Sequence, residues 1–96
     1  MKAIKQKLLV NVTPEKNFWC RDGRILSNLV DLEKALKEMG DEIYKYHVSK
    51  DKNDFAKWVG EVIGDKMLAQ ELIKTKNKEG AAEKVQTRIK SLQKNK

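Results

Sequence analysis

The sequence predicts a mainly α domain, an N-terminal β-hairpin followed by a compact bundle of four or five short helices. Three observations lead there. Apolar residues recur at three- and four-residue spacing from Leu29 to Leu92, the repeat of one buried helix face. Capping residues (Ser27-Asn28, Asp41, Asp51 to Asn53, and Asp65) open four of these stretches, and Gly40 and Gly64 close two. A single Asp22-Gly23 dipeptide separates two short apolar runs near the start. At 96 residues, 40% hydrophobic and 36% charged, the chain is read as one globular domain over 1–96, with basic ends at 1–7 and 74–96.

Leu8, Val10 and Val12 alternate in a short period-2 pattern that Thr13-Pro14 terminates, which predicts a strand. Lys16 to Cys20 and Ile25-Leu26 read as the arms of a hairpin. Its turn has two solutions: a two-residue loop, which sets Arg21 against Arg24, or a three-residue loop with Gly23 left-handed. Ser27 or Asn28 caps a helix with Leu29, Leu32, Leu36 and Met39 inward, supplemented by Val30 and Ala35, and Gly40 ends it. Asp41 caps a short turn through Ile43, Tyr44 and Tyr46, followed by a polar connector from Ser49 to Lys52. Asn53 or Asp51 caps the next helix, whose stripe is Phe55, Trp58, Val59, Val62 and Ile63. Gly64 closes it, and Asp65 caps another with Leu68, Ala69, Leu72 and Ile73 inward. A last helix, from about Glu79 to Gln93, presents Ala82, Val85, Ile89 and Leu92 on one face. The expected core is Phe18, Leu32, Leu36, Phe55, Val59, Ile63, Leu68, Leu72, Val85 and Ile89.

The net charge of +7 is uneven: residues 1–7 carry +3, residues 8–65 carry nine Lys and Arg against eleven Asp and Glu, and residues 66–96 carry nine against three. Lys74, Lys76, Lys78, Lys84, Arg88 and Lys90, continued by Lys94 and Lys96, form the one constellation with a binding chemistry, and they would meet phosphates as point charges without reading sequence. The opposing interpretation is a lysine-rich surface that keeps a small protein in solution.

The other constellations point away from catalysis and metals. His47 is the only histidine and Cys20 the only cysteine, so no disulfide, CxxC or multi-histidine zinc set is present, and a reducing, cytoplasmic setting is expected. Cys20 and His47 could meet in space as nucleophile and base, but a cysteine beside an Asp-Gly turn reads as small buried packing and nothing marks an oxyanion hole. His47 reads instead as a capping or connector hydrogen bond beside Tyr46. Asp51, Asp54, Glu61 and Asp65 resemble a carboxylate cluster, but all except Glu61 sit where helix starts favour acids. Gly60 and Gly64 precede no Gly-Lys-Ser, and Glu61 and Lys66 fall where a helix-turn-helix needs apolar residues. Trp58 reads as core, and Trp19 could stack on a base. The apolar run after Lys2 is broken by Lys5 and Lys7, too short for a signal peptide, and no segment could span a bilayer.

Phe18, Asp22-Gly23, the Leu29 to Met39 helix, Tyr46-His47-Val48, Asn53-Asp54-Phe55-Ala56, Trp58, Val62-Ile63 and Leu68-Ala69 together resemble an uncharacterised domain-of-unknown-function family of archaea and bacteria. The resemblance covers a little over half the chain and implies a stand-alone, mostly helical module, with no activity, cofactor or site residue to carry over. The expected function is therefore a non-catalytic binding module without metal or cofactor. Its first expected partner is nucleic acid, bound nonspecifically through the basic C-terminal third. The alternative is protein interaction or self-association through the apolar stripe of the last helix, with no membrane and no small-molecule substrate.

Overall fold

The computed structural model describes residues 8–94, apart from the Lys94 side chain; Lys2, Lys5, Lys7 and Lys96 lie outside the described residues. A single 3-10 turn over Pro14–Lys16 leads into a two-stranded antiparallel hairpin, β1 (Phe18–Trp19) and β2 (Ile25–Leu26). Helices follow as α1 (Leu29–Glu38), α2 (Asp41–His47), α3 (Asp54–Trp58) running on into one π turn at Val59–Ile63, α4 (Lys66–Lys74) and α5 (Lys78–Lys94). The mainly helical class with a leading hairpin is the one the sequence predicts.

The hairpin takes the three-residue turn. Phe18 pairs with Leu26 and Trp19 with Ile25, while the Cys20 N–H donates to Arg24 O at 2.8 Å and the Gly23 N–H to Cys20 O at 3.0 Å. Gly23 sits at φ 98°, where a Cβ would be strained. Helix starts follow cap chemistry: Asn28 Oδ1 accepts from the Asp31 N–H (2.7 Å), Asn53 Oδ1 from the Ala56 N–H (2.9 Å), and Asp65 Oδ1 from the Leu68 N–H (3.1 Å). The Asp31 carboxylate returns the favour by accepting from the Ser27 N–H at 2.9 Å.

Several expectations are corrected. Leu8 to Val12 forms no strand: the Val12 N–H reaches Ser27 O at 2.8 Å, but Leu8 and Leu9 lie in a turn, so the alternation finds no partner strand to extend. Gly40 follows the end of α1 in extended backbone and is itself the cap position of α2, so Asp41 begins that helix instead of capping it. Ile73 is 54% exposed and Val30 50% exposed, because each stands one residue, about 100° of helix rotation, from the buried stripe. Ile63 is only partly buried, since the π turn widens the helix beneath it.

The core has two joined parts. Leu29, Leu32 and Leu36 of α1 pack with α5, whose Ala82, Val85, Ile89 and Leu92 are all buried, so the stripe considered for self-association lies inside the protein's own core. The second part is aromatic. Phe18 is stacked on Phe55 with ring centroids 5.0 Å apart and meets His47 and Trp58 edge-on, and the Trp58 Nε1–H donates to Lys16 O at 2.8 Å. Gly60 lets α4 approach: a Cβ there would lie 3.2 Å from Ala69 Cβ.

Gly64, at φ 93°, turns the chain sharply between the π turn and α4 and carries Asp65 inward. Asp65 is 2% exposed, and its Oδ2 accepts from Arg88 Nε of α5 at 2.7 Å. Arg88 is thus a structural cation, not a free rim charge. Replacing it by Met should leave a buried carboxylate without its cation and cost about 2–3 kcal/mol, somewhat under the range for fully buried pairs because Arg88 is partly exposed. The shift in the urea unfolding midpoint measures it. Gly64→Ala should cost about 1 kcal/mol or more by the same assay, from the left-handed backbone alone.

Candidate anion-binding groove

A groove of about 810 Å³ opens between α2 with its following connector, the α3 and π-turn helix, α4, and the junction of α4 with α5. Each of these elements brings lysine to it: Lys45 from α2, Lys50 and Lys52 from the connector, Lys57 from α3, Lys66 from α4, and Lys76 and Lys78 from the junction. Asp41, Asp51, Glu61 and Glu79 also line it, so seven cations face four carboxylates. Between them lies small and aliphatic surface, including Val48, Ala56, Gly60 and Ala69, with Ile73 at its edge. Five of the lysines, Lys45, Lys50, Lys57, Lys66 and Lys76, are exposed and form no ion pair among the described residues.

Of the six cations singled out in the sequence, Lys76 and Lys78 line the groove, whereas Lys74, Lys84, Arg88 and Lys90 do not. Lys78 holds Glu79 at 2.9 Å and reaches Asp41 at 3.8 Å, and its hydrogen bond with Glu79 raises its pKa above the ordinary lysine value. Lys84 lies 3.5 Å from Glu71, and Arg88 is bound to Asp65. Lys74 and Lys90 are exposed, without an ion pair among the described residues.

Sequence reading missed Lys45, Lys50, Lys52 and Lys57 because they stand among the acids of a segment whose net charge is slightly negative, and Lys66 because it precedes the basic run that starts at Lys74. Many of those acids are engaged elsewhere. Asp22 and Glu38 both pair with Arg24, Glu33 with Lys37, and Asp65 with Arg88, while Asp31 closes the start of α1. The surplus lysines are left to the groove.

Beside it, His47 is 4% exposed and both ring nitrogens are engaged. Nε2 accepts from the Arg21 N–H at 3.0 Å, which fixes the proton on Nδ1, and Nδ1–H faces Asp54 Oδ2 at 3.0 Å. Asp54 also receives Lys52 Nζ at 3.2 Å. The acid assigned to a helix-start role is therefore the orienting partner of the buried imidazole, and the histidine ties the hairpin turn to the start of α3. The Tyr46 ring meets His47 edge-on and has the Arg21 guanidinium 4.8 Å and Lys52 Nζ 5.2 Å from its centroid. Cys20 is buried, which pushes its thiol pKa up, away from a reactive thiolate. Both His47 nitrogens are committed, so the imidazole is not free to act on it as a base.

No family model, curated protein or solved structure matches the chain, so the groove is interpreted from its own chemistry.

Burial pushes the Asp54 carboxyl up, but the hydrogen bonds from His47 and Lys52 outweigh it and hold the group below its ordinary value of 3.8. A carboxyl with a depressed folded pKa adds stability that is fully present above 3.8 and is lost as pH falls through the lower folded value. Asp54→Asn should therefore be less stable than the native protein near neutral pH, with the gap closing under strongly acidic conditions; unfolding curves across that range measure it.

Proposed function

We propose that the protein is a non-catalytic binding module that associates nonspecifically with nucleic acid in a cytoplasmic setting, meeting phosphates through the groove lysines and the adjoining cations of the C-terminal third. The observation that carries this reading is the convergence, from every element that builds the groove, of five lysines without an ion pair among the described residues. Lysine supplies strongly hydrated point charges on flexible stems, suited to a repeating phosphate backbone and poor at reading bases. The assembly alternative needs an open apolar face on α5, and that face is buried. The exposed apolar residues left to it include Met67, Ile73 and the cross-strand pair Trp19 and Ile25 on the hairpin, of which Trp19, at 69%, is the most exposed.

A fluorescence anisotropy titration against mixed-sequence oligonucleotides tests the proposal. Affinity should fall steeply with salt and depend little on sequence, and replacing Lys45, Lys50, Lys57, Lys66 and Lys76 with Gln should weaken it most at low salt, with the gap narrowing as salt rises, while circular dichroism shows an unchanged fold. No binding at low salt would refute it. Sedimentation at several concentrations addresses the alternative, since a mass that rises with concentration and returns to monomer in Trp19→Ser would favour assembly.

A further inference from the structure

The shape of the groove narrows the partner further, on the basis of the function just proposed. We infer that the groove takes a single strand of nucleic acid in preference to a duplex. Its cations stand on separate elements around a concavity of about 810 Å³, so a ligand meets several of them together only by entering it. A flexible single strand can thread such a space and turn its phosphates toward the lysines, whereas a duplex is a stiff, convex rod that meets only the rim. The lining has a second character that suits a strand: the half-exposed Ile73 and the partly buried Val48 offer aliphatic surface to sugars and to base faces, and a duplex keeps its base faces stacked inside. Tyr44, the one aromatic residue of the lining, is buried, so contact with bases falls to the aliphatic lining, and the lysines that meet the phosphates do not read sequence.

The four carboxylates argue for the same partner over an acidic peptide. Asp41, Asp51, Glu61 and Glu79 repel carboxylates and phosphates alike, but they can accept hydrogen bonds from the amino groups of unpaired bases, donors that the side chains of an acidic peptide lack. A strand carries both phosphates and donors, so it matches both signs of the lining.

The test compares three labelled probes on the full chain by anisotropy at several salt concentrations: a mixed-sequence single strand, the same strand annealed to its complement, and polyglutamate. The strand should bind most tightly. Its log affinity should fall with log salt by about 0.7 for each phosphate contact, and the five-lysine Gln variant should lose up to about 3.5 units of that slope together with the preference over duplex. A duplex that binds as tightly as the strand overturns the inference and leaves nucleic-acid association standing. Failure of both nucleic acids to bind at low salt overturns both, as does polyglutamate binding as tightly as the strand.

Discussion

One carboxylate holds the arrangement of the C-terminal half together. Asp65 closes the start of α4 with one oxygen and receives Arg88 of α5 with the other, and it reaches that position because Gly64 turns the chain through a left-handed residue. The pair links the corner after the π turn to the middle of the longest helix. Both partners lose hydration on burial, so their attraction adds less to net stability than a 2.7 Å contact suggests, but few other placements of α4 against α5 would satisfy the buried acid. The groove inherits its geometry from that placement, since α4 and the α4–α5 junction form one side of it.

Much of the fold was legible because its determinants are local. Asn28, Asn53 and Asp65 cap through hydrogen bonds to residues three positions on, which a sequence displays directly. The stripes of α1, α3 and α5 follow from helical periodicity, and Gly23 from the backbone its turn requires. What was not legible depends on distant partners. Arg88 resembles any rim cation until Asp65, 23 residues away, is seen beneath it. Asp54 resembles a helix-start acid until His47 is found against it. Ile73 and Val30 fail for a finer reason, since a stripe one residue too wide in a sequence is a residue turned to solvent in a helix.

The groove was invisible for a different reason, which concerns how charge is counted. Summing a segment treats every lysine and carboxylate as equivalent, but folding removes charges selectively. Asp22, Glu33, Glu38 and Asp65 are drawn into pairs with cations away from the groove, while Lys45, Lys50 and Lys57 keep theirs and come to share one face. A middle section that is slightly acidic as text therefore adds to the basic surface of the folded molecule. The tryptophans divide in the same way: Trp58 is buried and donates its Nε1–H to Lys16 O, and Trp19, paired across the hairpin with Ile25, faces outward.

The π turn makes chain length itself a structural variable. Through Val59–Ile63 the helix holds more residues per turn than an α-helix, with the N–H groups of Gly64 and Asp65 reaching back to Val59 O at 2.9 and 3.0 Å. The wider turn absorbs about one residue more than an α turn, so removing one residue there would let the segment relax to ordinary α-helix with the corner kept close to its present angle, whereas removing a second would rotate everything after it by about 100°. Asp65 would then swing away from Arg88, and α4 would offer the wrong face to α5. The segment from Val59 to Ile63 is thus where the helix takes up one residue of slack, a place at which a single deletion changes backbone hydrogen bonding more than the course of the second half.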